Sequence, residues 1–161
     1  MDPTANTGLF NSDARLYGLQ GEGALAPLQV EGWVAREALS GVGQWRVVAL
    51  SDNAGLSFSG ATTAVLERVT GDGNDNSNAS ISMTGEMRIV DSSFSNSVDN
   101  FGLSFSGATN AVLERVTADG NFNFNASISM TGKMRIVDSS FSNSVDNFGL
   151  SFSGATEVVM E

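Results

Sequence analysis

The chain contains no cysteine and no histidine, and among its 161 residues it has only two prolines and one lysine, Lys133. Without cysteine there can be no disulfide framework and no thiolate metal site. Without histidine the commonest general base and metal ligand are gone, which weighs against most enzyme classes. Basic side chains are scarce: eight against 18 acidic ones, for a net charge of -10 and a pI near 4.2. Nucleic acid and anionic membranes, which need clustered Lys and Arg, are therefore poor partners. No apolar run reaches the 18 residues of a membrane-spanning helix. Met1-Asp2-Pro3-Thr4 opens without the basic start and apolar stretch of a secretory signal, so no Sec signal is expected. What is present, 41% hydrophobic residues, only 16% charged ones and 18 glycines, fits a folded domain.

Asp52 to Val98 recurs as Asp99 to Val145 with 41 identities at an offset of 47, and Asp146 to Glu161 begins it a third time. The six changes are Ala54/Phe101, Thr63/Asn110, Gly71/Ala118, Asp75/Phe122, Ser77/Phe124 and Glu86/Lys133. A period of this length marks a solenoid or a propeller. A half-length repeat inside it decides for the solenoid. Steps of 23 and 24 residues connect Leu56, Ala79, Leu103, Ala126 and Leu150, and likewise Phe58, Ile81, Phe105, Ile128 and Phe152. Serines alternate with these apolar positions, the mark of a strand with one buried face. Two further short strands follow per coil, with Ala64 and Leu66 under Met87 and Ile89, and Val69 and Gly71 under Ser92 and Phe94. The prediction is an all-β parallel solenoid of about four and a half coils over residues 52–161. Leu103, Phe105, Leu113, Ile128, Ile136 and Phe141 are expected to be buried.

The segments GLSFSGATNAVLERVTADGN and NASISMTGKMRIVDSSFSNS resemble coils of the right-handed parallel β-helix family, the pectate-lyase-like architecture. The resemblance implies the fold and no particular activity.

Residues 1–13 are polar. Residues 14–51 form a different segment, with strands expected near 14–20, 27–36 and 44–51 and turns at Gly21-Glu22-Gly23 and Gly41-Val42-Gly43. Its Arg15-Leu16-Tyr17, Gly21-Glu22-Gly23-Ala24-Leu25, Leu28 to Val34, Arg36-Glu37-Ala38-Leu39-Ser40 and Trp45-Arg46 are similar to the start of VgrG proteins, spike-tip components of type VI secretion systems. That likeness implies a spike-associated role, in a cytoplasmic or type VI-exported protein. In that family the opening strands belong to a longer barrel-forming region, and the spike is an intertwined trimer rather than a single-chain solenoid. The switch at Ser51-Asp52-Asn53-Ala54-Gly55-Leu56 matches the start of each repeat and suggests recombination at a short shared segment.

Candidate chemistry is sparse. The outward columns Ser57, Ser80, Ser104, Ser127, Ser151 and Ser59, Ser82, Ser106, Ser129, Ser153 lack an adjacent base, and serine alone is a poor nucleophile. They read as a solvated sheet face, or as a hydroxyl surface for glycan or ordered water. Asn53, Asn76, Asn100, Asn123 and Asn147 read as a structural ladder of stacked turn amides. Gly71-Asp72-Gly73-Asn74-Asp75-Asn76 does not make a calcium loop, because Ser77 and Met83 stand where such a loop needs glycine and glutamate. Arg68, Asp91, Arg115 and Asp138 share a column, so neighbouring coils alternate in sign, which a strict single-coil repeat would not allow.

The column Ala54, Ser77, Phe101, Phe124, Phe148, with Phe122 beside it, is either an internal aromatic stack or an exposed stripe for sugar rings or a protein partner. The reading is a non-catalytic structural and interaction module without cofactor or metal, whose partner is a protein or a glycan. Its rivals are a carbohydrate-binding or carbohydrate-active β-helix relic and a fusion remnant without selected function. The edge at Asp146 to Glu161, if nothing covers it, is expected to fray or to drive self-association.

Overall fold

Period-two stretches rich in Val, Ile, Phe and Ser, punctuated by Gly, Asn and Asp, dictate short strands joined by tight corners. A computed structural model of the chain describes residues 15–17, 28–32, 37–50, 56–74 and 77–161, with side chains from residue 56 onward except 57 and 58. The strands are β1 (Arg15–Tyr17), β2 (Leu28–Gly32), β3 (Glu37–Leu50), β4 (Leu56–Glu67), β5 (Thr70–Asp72), β6 (Ala79–Ser95), β7 (Leu103–Asp119), β8 (Ala126–Val137), β9 (Ser140–Ser142), β10 (Leu150–Ser153) and β11 (Glu157–Met160). No helix occurs among the described residues. β4, β6, β7 and β8 stack in parallel, and β10 and β11 both lie on β8. The fold is an all-β parallel solenoid of about four turns.

The expected register holds pair by pair: Phe58 with Ile81, Ile81 with Phe105, Phe105 with Ile128 and Ile128 with Phe152. The first two strands expected in a coil are one continuous strand in β4, β6, β7 and β8, with β6 and β7 running on through the third, while in the last coil they stay separate as β10 and β11. The continuous strand bends where the register shifts, as between Ser59 and Ala61 and between Ser106 and Ala108. Gly107 sits at one such bend with φ +84°, where an added Cβ would stand 2.0 Å from the Met83 carbonyl oxygen, so only glycine fits. The corner before the third strand also turns through the left-handed region, at Arg68, Asp91, Arg115 and Asp138. The next corner does so at Gly73, Asn96, Gly120 and Asn143, residue types that adopt this conformation most readily.

The parallel ladder does not begin at Asp52. β3 pairs with β4 (Glu37 with Leu56, Trp45 with Ala64) and β2 pairs with β3, both in parallel, while β1 is antiparallel to β2. The turn expected at Gly41-Val42-Gly43 lies inside β3 at a register shift, the counterpart of the bend in each later coil. The expected turn at Gly21-Glu22-Gly23 falls outside the described residues, as do Asn53, Ala54 and Asn76.

Within the solenoid, some inward columns alternate large with small, while Ile81, Phe105 and Ile128, and likewise Leu66, Ile89, Leu113 and Ile136, are large in every coil. Leu56, Ala79, Leu103 and Ala126 follow one another, as do Ala64, Met87, Ala111 and Met134, while at the bend Ala61 pairs with Met83 and Ala108 with Met130, Met83 lying in the register shift before Gly85. All twelve are buried. Met87 therefore has Ala64 and Ala111 on either side, and the core there fills by interdigitation. Gly71, Phe94 and Ala118 follow the same rule in the third strand. Of the residues expected to be buried, Leu103, Phe105, Leu113, Ile128 and Ile136 are so, whereas Phe141 is only partly covered, because β9 pairs with β7 alone. Phe152 is 42% exposed where its counterpart Phe105 is 1% exposed, since among the described residues β10 pairs with β8 alone.

Truncating Phe105 to Ala is expected to cost about 3–5 kcal/mol in denaturant unfolding, while Ser106→Ala, on the outer face of the same strand, should stay within about 0.5 kcal/mol. Equal costs would contradict the register.

Candidate functional site

The corner that carries each third strand back to the next first strand departs most from a uniform scaffold. Backbone bonds fix it from coil to coil: Val98 N–H donates to Asn74 O (2.9 Å), Phe122 to Ser97 O (3.0 Å), Val145 to Asn121 O (3.0 Å) and Gly102 to Phe124 O (3.0 Å). Phe101, Phe124 and Phe148 stand in register, with ring centroids 5.7 Å apart for the first pair and 6.3 Å for the second, at interplanar angles of 26° and 33°. These separations are those of offset stacks. Phe101 and Phe124 are half-buried and Phe148 is exposed, and none belongs to the core cluster. The stack thus stands outside the core, its rings covering one another. Phe122 lies in a second column with Val98 and Val145 that the sequence reading did not single out. Of the expected asparagine ladder, Asn147 donates to the Asn123 side-chain oxygen, and Asn123 N–H donates to Asn100 O.

Beneath this corner lies a second set of asparagines that sequence reasoning missed. Asn74, Asn78, Asn121 and Asn125 are buried, and their amides form a closed network. Asn121 donates from Nδ2 to Asn125 Oδ1 (2.7 Å) and Phe94 O (2.9 Å), and its Oδ1 accepts from Ser97 N–H (2.9 Å) and Asn78 Nδ2 (3.1 Å). Asn78 Oδ1 accepts from Asn74 Nδ2 (2.5 Å), while Asn78 Nδ2 also donates to Ser95 O (2.6 Å). Asn125 repeats that bond one unit later, to Ser142 O. The amides of Asn78, Asn121 and Asn125 thus tie the corner to carbonyls at the ends of β6 and β9, and no buried side-chain nitrogen or oxygen among the described residues lacks a partner. The network skips a coil. Asn78 reaches Asn121 past Gly102, where a Cβ would meet Asn121 Nδ2 at 2.4 Å and Phe94 O at 2.6 Å. The signal was available: these asparagines recur only at 47 residues, with Ser97 and Gly102 in the intervening coil.

The described basic side chains lie on the second strand of the coils or at the corner after it. Arg115 Nε donates to Asp91 Oδ1 (2.5 Å) and its Nη2 to Asp91 Oδ2 (3.2 Å), across the column where opposite signs were expected to alternate. Arg115 also bonds Glu114, Arg88 bonds Glu114 (3.1 Å), Arg68 bonds Glu67, Lys133 pairs with Glu157 (2.8 Å) and Arg135 with Glu161 (2.6 Å). The Arg115 hydrogen bond holds the carboxyls of Asp91 and Glu114 below the usual carboxylate range, and Glu157 raises Lys133. All of these pairs face solvent and add little to stability. Beside them runs a groove of about 620 Å³ over Val65, Arg88, Val112, Arg135 and Val159, rimmed by Glu86, Asn110 and Lys133. Its arginines and lysine are already paired with carboxylates of the same face.

The outward serines offer no chemistry beyond their hydroxyls. Ser80, Ser82, Ser106, Ser129 and Ser153 are exposed, Ser104, Ser127 and Ser151 half-buried. In the Gly71 to Asn76 loop, the Asp72 carboxylate accepts from Asn96 Nδ2 (2.7 Å), and among the described residues no group of three acidic ligands gathers.

Asn121→Ala removes four bonds at once and is expected to cost about 3 kcal/mol, read as a drop in the urea midpoint. Gly102→Ala should destabilise at least as much, whereas Asn147→Ala at the solvent-facing ladder should cost under about 1 kcal/mol. Equal costs for Asn121 and Asn147 would contradict the network. No protein-family model, curated protein or solved structure matches the chain in comparison.

Proposed function

We propose that the chain is a non-catalytic structural and interaction module: a rigid solenoid that presents its aromatic corner to a partner. The observation that carries this reading is the placement of Phe101, Phe122, Phe124 and Phe148 outside a core that closes without them. Large apolar side chains on a surface cost solubility unless something covers them. Support against a hydrolytic role comes from the ionisable side chains, because Arg68, Arg88, Arg115, Lys133 and Arg135 are each bonded to a carboxylate rather than poised beside a serine. The likeness of residues 14–51 to VgrG openings supports attachment to a type VI spike as the setting.

A depolymerisation assay on pectic, cellulosic and chitinous polysaccharides tests the reading. New reducing ends are expected to match the protein-free blank. Turnover proportional to protein concentration would overturn it in favour of a carbohydrate-active β-helix.

A further inference from the structure

Seven large apolar side chains are exposed among the described residues. Three of them, Phe152, Val159 and Met160, belong to the last coil. The other four share one corner: Val98 (53% exposed), Phe122 (41%) and Val145 (64%) in one column, and Phe148 (70%) at the end of the phenylalanine stack beside it. The two columns form a strip that crosses three coils parallel to the solenoid axis.

The charge around this strip has one sign. Asp72, Asp99, Asp119 and Asp146 lie on or next to the same turns, and among the described residues no Lys or Arg does. Arg68, Arg88, Arg115, Lys133 and Arg135 are all on the second strands or the corner after them, each in an ion pair there. Among the described residues, Asp72 and Asp119 accept hydrogen bonds from neutral Asn96, Ser142 and Asn143. The corner is thus apolar along its crest and anionic along its flanks. From this juxtaposition we infer that the corner docks a cationic amphipathic helix of a partner protein, laid along the solenoid axis. The inference rests on the reading of the chain as an interaction module and names the partner's chemistry.

Spacing supports a helix. Coils repeat at about 4.8 Å, so Val98, Phe122 and Val145 span roughly 10 Å. Helical residues i, i+3 or i+4, and i+7 rise about 1.5 Å each and so span roughly 10.5 Å, which places one apolar side chain of the partner over each coil. Lys or Arg on the flanks of that stripe would then face the corner aspartates. A second copy of this chain is disfavoured, since two corners of like charge on molecules of net charge -10 repel. Sugar rings are disfavoured as well, because Phe101 and Phe124 turn their faces toward one another and offer mainly edges outward.

The probe is a labelled 15-residue peptide of leucine and lysine, with leucine at i, i+3, i+4 and i+7. Its control keeps the leucines and replaces each lysine with glutamate. By fluorescence anisotropy the lysine peptide is expected to bind in the micromolar range, more weakly at high salt, and the glutamate peptide not at all. The variant Val98→Ser/Phe122→Ser/Val145→Ser should weaken binding about tenfold or more, and Asp99→Asn/Asp146→Asn should remove most of the salt dependence. Amide shifts on titration, which need no variant, should concentrate at residues 98–101, 122–124 and 145–148. Equal binding of both peptides, unchanged binding by the serine variant, or shifts confined to another face would overturn the docking. None of these outcomes would generate reducing ends in the polysaccharide assay, so failure here is distinguishable from failure of the non-catalytic reading.

Discussion

A side chain pointing into a solenoid meets chiefly the side chains of the coil above and the coil below. Everything else in this molecule depends on that restriction. If two coils were identical, large would stack on large and small on small, leaving overpacked layers alternating with voids. Where a small residue occurs the chain makes neighbours complementary, with Met87 between alanines, Leu103 between alanines and Phe94 between Gly71 and Ala118, while the Ile81/Phe105/Ile128 and Leu66/Ile89/Leu113/Ile136 columns stay large throughout. The unit of structure is consequently a pair of coils, and the 47-residue period is its imprint on the sequence.

The corners obey the same rule in polar form. Asn78 and Asn125 fill a buried position that Gly102 vacates in the coil between them, and this lets an amide reach across to Asn121. Ser92 takes the place of Val69 one coil later and accepts the Val69 N–H at 3.1 Å, while donating to Val90 O. Outside, Arg115 faces Asp91 where a single-coil repeat would set like charge against like. Because the interior is completed by these pairings, the phenylalanine and valine columns of the outer corner are not needed to close it. They stand outside the core, and the described charges flanking them are acidic.

Much of this was legible in the sequence. Burial on one face of a strand imposes period two, so Leu103, Phe105, Leu113 and Ile136 could be assigned inward from spacing alone. The columns followed from the repeat. The buried amides were not legible in the same way, because asparagine beside glycine, aspartate and serine reads as turn chemistry and burial depends on which way a corner folds. Asn100, Asn123 and Asn147 recur in every coil and drew the eye, yet they lie toward solvent; Asn121 and Asn125 recur only every second coil and are buried. The phenylalanine column was visible, but its exposure was not, since stacking along the axis is equally compatible with the inside and the outside of a turn. Val98 and Val145 were passed over because single valines in a turn carry no periodic signal until Phe122 is seen between them.

The claim that paired coils, rather than single coils, are the unit can be tested by comparing two deletions in one denaturant titration. Removing residues 79–125 takes out a whole 47-residue pair and sets Asn78 beside Gly149 and Arg68 beside Asp138. Removing residues 79–102 takes out one coil only and sets Asn78 beside Asn125, Arg68 beside Arg115 and Ala61 beside Ala108. A solenoid of interchangeable coils would leave the smaller deletion more stable, because it keeps one more coil. The account predicts the reverse: cooperative unfolding after loss of the pair, and a lower midpoint or no cooperative transition after loss of the single coil. A higher midpoint for the single-coil deletion would contradict it.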